Sequence, residues 1–151
     1  MYGELGGGTA GVIATVQAGR AGARTLLVEK SAALGGTTTT AGVNFPSLFH
    51  AWGQQIIAGI GWELVLSCVE ECGGTLPDFT HYKQPHHRLQ ILVNPHVYSS
   101  LCNEAVVQSG ADILFHTMVA NLKERGDDGW QVDLCAKAVS YTHLRAHETL
   151  G

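Results

Sequence analysis

The spacing of apolar residues along this chain changes between a helical and a strand period, and the changes mark its elements. Thr9–Ala21 carries small or apolar residues at Ala10, Ile13, Ala14, Val16 and Ala21, which predicts a helix with one face lying on a sheet. Gly22 stands where a helix closes in the left-handed conformation. Thr25-Leu26-Leu27-Val28 predicts a buried strand. Gln54–Ile60 predicts a short helix. Trp62–Cys72 predicts a better one, with its stripe at Leu64, Val65, Cys68, Val69 and Cys72 and a stop at Gly73-Gly74. Leu89–Val93 predicts a strand. Asn94-Pro95 predicts a helix start, with Asn as N-cap and Pro at the first helical position. That helix runs to about Ser109, with Val97, Leu101, Ala105 and Val106 inward. Ile113–His116 predicts another strand. Met118–Arg125 and Trp130–Cys135 flank Gly126-Asp127-Asp128-Gly129, a hairpin signal. Ala41–Pro46 predicts an irregular segment or a short strand, and Leu76–His87 predicts a loop.

Four regions follow from this order. Residues 1–44 form a β-α-β unit whose first strand is short or missing. Residues 45–93 form an inserted helical segment on the substrate side. Residues 94–138 complete the first unit, and residues 139–151 form a tail. Met1–Leu5 is short for a central strand and holds Gly3 and Glu4, both poor strand formers, so a missing natural strand is the favoured reading. From Val139 onward the sequence has no link to the pattern before it. It resembles translated library adapter and is set outside the fold as non-native.

A chain of 151 residues is of one-domain length, and 45% hydrophobic with 15% charged residues suits a packed core. A net charge of −4 without a basic stripe argues against nucleic acid as a partner. No apolar run reaches the roughly 20 residues of a membrane span, and no signal peptide precedes the first glycines. Cys68, Cys72, Cys102 and Cys135 are scattered and read as buried free thiols. A cytoplasmic setting fits. Nothing in the sequence speaks to oligomeric state.

The chemistry starts at Gly6-Gly7-Gly8-Thr9-Ala10-Gly11, a G-x-G-x-x-G loop opening the first helix. In such a loop the first glycine makes the turn. The second admits a pyrophosphate to the backbone, and the third lets helix and strand pack closely. The helix N-terminus offers unpaired N–H groups and a partial positive charge. Glu29 closes the next strand 18 residues after Gly11, near the usual distance of about 20 for an acid that binds a ribose hydroxyl. Then Lys30-Ser31-Ala32-Ala33-Leu34-Gly35-Gly36-Thr37-Thr38-Thr39-Thr40 joins two glycines to a hydroxyl run, fit to approach phosphate oxygens or a flavin ring.

Gly6–Gly11, Glu29-Lys30, Leu34-Gly35-Gly36-Thr37-Thr38 and the closing hairpin together resemble FAD-dependent oxidoreductases of the glutathione-reductase-like flavoprotein class. Asn44–Gly53 looks like part of the same group, and the resemblance covers roughly Gly6 to Lys137. It implies an α/β, Rossmann-like FAD-binding domain, truncated here, with a parallel sheet and an antiparallel β-hairpin crossover. By the same resemblance, Gly6, Gly8, Thr9, Ala10 and Gly11 would hold the FAD pyrophosphate. Glu29 would take the ribose hydroxyls, and Lys30 would lie near the adenine. Gly36, Thr37 and Thr38 would approach the pyrophosphate and flavin side, and the Val119 backbone would pair with adenine. The partners are then FAD and a small-molecule substrate whose identity the sequence does not carry. The family's later segments are absent, so the chain is expected to be inactive alone and to bind FAD weakly or not at all.

No catalytic acid or base stands out. His50, His81, His86, His87, His96 and His116 qualify by residue type only, and His116 reads as a core or edge histidine. Cys68 and Cys72 with His86 or His87 lack zinc-ligand spacing, so no metal is expected. Trp52, Trp62 and Trp130 read as core or hairpin packing. Two other readings stay open: an NAD-binding Rossmann dehydrogenase, and an inactive fragment.

Overall fold

The structure is a computed structural model that describes residues 2–46, 48–126, 129–136 and 139–145. Its centre is a three-stranded parallel sheet in the order β1-β2-β5. β1 (Tyr2–Leu5) runs beside β2 (Thr25–Val28), with Tyr2 opposite Thr25 and Leu5 opposite Val28. β5 (Asp112–Leu114) lies on the other side of β2, with Leu26 opposite Asp112. The first strand, expected from sequence to be missing, is present with four residues. The intrinsic cost of Gly3 and Glu4 is small on a scale that spans about 1 kcal/mol, and a parallel ladder to β2 outweighs it.

Among the described residues there are three α-helices, of which two lie on the sheet (the first and third in chain order) and the second packs on both of them. α1 (Thr9–Arg20) follows the glycine loop, α2 is Ile60–Glu71, and α3 is Pro95–Gln108. α3 starts as its sequence predicts: Asn94 Oδ1 accepts from the His96 and Val97 amides, and Pro95 takes the first helical position. The core gathers Val12, Val16, Leu27, Leu34, Val65, Tyr98, Cys102 and Val106. On α1 the buried residues are Val12, Thr15 and Val16, while Ala10 and Ala21 are exposed. The expected face is thus turned, because α1 packs against α2 and α3 as well as the sheet. Likewise α3 buries Tyr98, Cys102 and Val106 fully, and Val97, Leu101 and Ala105 only partly. Cys68 and Cys102 are buried; Cys72 and Cys135 are exposed.

Several segments depart from the sequence reading. Gln54–Gly59 is not helical, and Ile60 belongs to α2. Gln54–Gln55 is a short strand β4, paired antiparallel with β3 (His50–Ala51), and Gly59 caps α2. Leu89–Val93 has a strand's alternation, with Ile91 and Val93 buried and Leu92 exposed, yet no described strand pairs with it. The Val93 amide donates to the Asn44 carbonyl at 2.9 Å instead. His116 is exposed, at φ 52° in the turn after β5, rather than at a buried strand end. Trp52 and Trp130 are exposed, and only Trp62 packs against the core.

The crossover is antiparallel, as the hairpin signal requires. β6 (Thr117–Glu124) pairs with β7 (Trp130–Ala136), with a bulge between Val119 and Asn121. Asp127 and Asp128 of the turn lie outside the described residues. The backbone of β8 (Val139–Arg145) adds a third strand beside β7, so the crossover is a meander rather than a lone hairpin. This segment was set outside the fold on its sequence. An open strand edge pairs with whatever chain turns back along it.

Gly11 sets how closely α1 approaches the loop before it, since a Cβ there would collide with the Gly6 carbonyl oxygen. Gly11→Ala is expected to cost about 3 kcal/mol or more, the upper range for overpacking against backbone. A urea-unfolding midpoint within error of the unmodified chain would contradict this packing.

Candidate functional site

The site forms where β1 and β2 end and α1 begins. The Gly6 amide donates to the Val28 carbonyl at 2.9 Å, which ties the loop to the end of β2. The first helical bond runs from the Val12 amide to the Gly8 carbonyl, so Thr9, Ala10 and Gly11 keep amides without helical partners. Gly8 is the N-cap and has no side chain to occupy them. A Cβ at Gly8 would meet nothing within 4 Å. The space over this glycine is open, and the donors beside it suit an anion.

Glu29 is buried at 7% exposure just beyond β2. Its Oε2 accepts from the Gly7 amide at 2.5 Å. Its Oε1 accepts from the Ser31 amide and hydroxyl, each at 2.6 Å. Burial pushes this carboxyl's pKa upward. The Ser31 hydroxyl and amide, the Gly7 amide and the Lys30 charge together outweigh that, and the pKa lies below the ordinary 4.5. The group is therefore an anion at neutral pH. A carboxylate offers about four acceptor positions. Three are filled, which leaves Oε2 room for one outside hydroxyl.

The segment after Glu29 folds back over the glycine loop. The Gly35 amide donates to the Gly7 carbonyl at 2.8 Å, and the Thr9 hydroxyl donates to the Gly35 carbonyl at 3.3 Å. Gly36–Thr38 forms a single 3₁₀ turn. Gly36 has φ 49°, and a Cβ there would sit 2.8 Å from the Gly8 Cα. Thr38 is buried and Thr37 exposed, so Thr37 is the hydroxyl of the two that faces solvent.

An open cavity of about 300 Å³ adjoins the acid, lined by Gly6, Val28, Glu29, Lys30, Thr117, Met118 and Val119. The crossover supplies its far wall. The Thr117 amide donates to the Glu29 carbonyl at 3.0 Å, which brings the start of β6 to the acid. Of the residues singled out from sequence, Gly6, Glu29, Lys30 and Val119 thus share this cavity. Gly8, Thr9 and Gly36 meet a few ångströms away at the helix start. Ala10 and Thr37 are exposed beside them, outside the lining of the cavity.

Three contributors escaped the sequence reading. Gly7 holds an unspecified position of the motif, yet a Cβ there would collide with Leu34 and come within 3.1 Å of Glu29 Oε2. Leu34, fully buried, roofs that glycine. Ser31 has a legible signal, a hydroxyl two residues after an acid, in reach of a local side-chain bond.

A glycine loop opening a helix over a parallel sheet, an acid ending the second strand and an antiparallel crossover define a dinucleotide-binding fold of the FAD type. The chain belongs to the FAD dependent oxidoreductase family, whose model matches residues 5–150. Among solved structures it is similar to the myxobacterial chondrochloren halogenase CndH, a variant of the FAD-dependent halogenases, with TM-score 0.60 and 14% identity over 93% of this chain and 34% of that one. The OxyS anhydrotetracycline hydroxylase from Streptomyces rimosus gives 0.58 and 19% over 93% and 29%. L-proline dehydrogenase from P. horikoshii gives 0.56 and 14% over 88% and 48%. At these identities the likeness is one of fold, and the chain spans less than half of each. No curated protein sequence matches the chain. Among the described residues no helix is long and apolar enough to cross a membrane.

The acid's bonds carry a pH signature. The folded-state pKa is depressed, so the stabilisation is present above about pH 4.5 and fades as pH falls through the folded value. Glu29→Gln is expected to lose about 1.5–3 kcal/mol at pH 7, the range for hydrogen bonds to a charged group. The loss should shrink toward pH 3. Urea midpoints of the two chains at both pH values test this, and a pH-independent difference would contradict it.

Proposed function

We propose that this chain holds FAD at the junction of the glycine loop and Glu29, and forms the cofactor-binding part of an oxidoreductase that acts on a small molecule. The observation that carries the reading is the open space over Gly8, set among close-packed Gly7, Gly11 and Gly36. Packing explains the other three glycines. It does not explain Gly8, which a phosphate would.

The pyrophosphate would lie over Gly8 and take the amides of Thr9, Ala10 and Gly11, whose partial positive charge favours it. The free acceptor position on Glu29 Oε2 would bind one ribose hydroxyl. Lys30 and the Val119 backbone, on opposite walls of the cavity, would flank the adenine. Gly36 and Thr37 would meet the pyrophosphate from the flavin side. FAD, when bound, supplies the redox chemistry at its isoalloxazine ring. The chain's own task is to fix and orient that group.

In this reading 1–44 and 94–138 hold the cofactor and 45–93 faces the substrate. Among the described residues β1 and β5 are both open edges of the parallel sheet, and this chain alone is expected to bind FAD weakly and to turn over no substrate. A cytoplasmic setting belongs to the same proposal, since all four cysteines are free.

Gly8→Val separates binding from folding. Its side chain enters open space at φ −68° and ψ 178°, ordinary extended backbone. Titrated with FAD and followed by flavin fluorescence, the variant should bind at least about tenfold more weakly than the parent. Its thermal midpoint without FAD should fall by no more than a few degrees, the cost of valine at the helix N-cap. Equal FAD binding by both chains would overturn the assignment.

A further inference from the structure

We infer that the β3–β4 hairpin and the segment 81–88 beside it form a surface that docks on a bilayer of anionic phospholipid. The inference stands on residues 48–88 alone and does not rest on the FAD reading.

Three observations meet here. The first is apolar surface without charge. Between Lys30 and Glu63 the chain holds no Asp, Glu, Lys or Arg. Yet Leu48, Trp52, Ile56 and Ile57 of this stretch are each about half exposed or more. They belong to one hairpin and its flanks. β3 pairs with β4 across the turn at Trp52-Gly53, and the Ile56 and Ile57 amides both donate to the Phe49 carbonyl, at 2.8 and 3.1 Å. Apolar surface gathered in this way marks a contact with a protein or a membrane.

The second is the tip of the hairpin. Trp52 stands at φ 51° and Gly53 at φ 76°. A bulky residue in the left-handed region is a true outlier. Trp52 is also 78% exposed, so little packing within the chain compensates for the strain. Strain of this kind persists where function holds it. Tyr82, likewise exposed, abuts the turn, since a Cβ on Gly53 would lie 3.4 Å from its ring. Tryptophan and tyrosine are the side chains that settle at the boundary between lipid and water.

The third is the charge beside this apolar surface. Residues 81–88 are all exposed and carry Lys83, Arg88, His81, His86 and His87. From Cys72 to Asn103 the one acid is Asp78, which lies 2.9 Å from His81. The segment is thus locally basic in a chain of net charge −4. Cations next to aromatic and aliphatic side chains match phosphate head groups above acyl chains. The same cations disfavour a second copy as the occupant. A two-fold contact sets the patch against itself, and it would bring two basic segments together.

The test sediments the full 151-residue chain with lipid vesicles, at low salt and without FAD. Vesicles of equal phosphatidylglycerol and phosphatidylcholine should bind it at least about tenfold more tightly than phosphatidylcholine alone, and added salt should narrow the gap. Asn is a preferred residue at a left-handed turn position. Trp52→Asn should therefore raise the thermal midpoint while weakening vesicle binding about tenfold. Ile56→Ser with Ile57→Ser should weaken binding to a similar degree. Lys83→Gln with Arg88→Gln should remove most of the preference for the anionic vesicles. Trp130→Ser, exposed on the crossover, should change nothing. Absent binding to the anionic vesicles, no preference between the two lipids, or binding that survives the hairpin variants would each overturn the inference. So would a dimer, seen by light scattering, that the hairpin variants break apart.

Discussion

The bond between the Glu29 carboxylate and the Gly7 amide organises this protein. It joins the end of β2 to the loop between β1 and α1. Through Ser31 it also shapes the return of the chain toward Gly35, which bonds back to Gly7. One buried anion thus sets three loop segments against one another. Its desolvation is offset by short charge-assisted bonds, which are the stronger kind. It also explains why the motif's second residue, nominally free, is glycine: Leu34 and the carboxylate fill the space a side chain would need.

Within six residues the loop therefore contains glycines held for different reasons. Gly11 yields to the Gly6 carbonyl and Gly7 to Leu34 and Glu29, whereas Gly8 yields to nothing in the chain. That contrast supports the proposal that a phosphate lies over Gly8. Ligand binding and sheet stability should also be coupled. A parallel sheet of three strands with two open edges is a small platform, and a ligand that binds only the folded state stabilises it by mass action.

Much of the glycine-loop geometry was legible because its constraints are local. Gly6, Gly8, Gly11, Glu29 and the Asn94-Pro95 helix start all act within a few residues of themselves. The antiparallel crossover was legible from two apolar runs around a Gly-Asp-Asp-Gly turn. Tertiary contacts hid the rest. The faces of α1 and α3 turned because each packs on two sides. Leu89–Val93 alternates like a strand but found only Asn44. The first strand formed against its own propensity because β2 offered a ladder. The helix expected over Gln54–Ile60 failed for another reason: Gln54–Gln55 pairs back on His50–Ala51 through a turn at Trp52-Gly53, and tryptophan is no turn signal. The stack of His50 on Phe79 joins distant chain positions, and no spacing rule reports such a meeting.

The most direct test of the central claim is a residue-resolved amide NMR spectrum of the chain, recorded as FAD is added. The account predicts the largest shifts at Gly8, Thr9, Ala10 and Gly11, with smaller ones at Lys30, Gly36 and Val119. Shifts that spare the Gly8–Gly11 amides, or that gather at another surface, would contradict it.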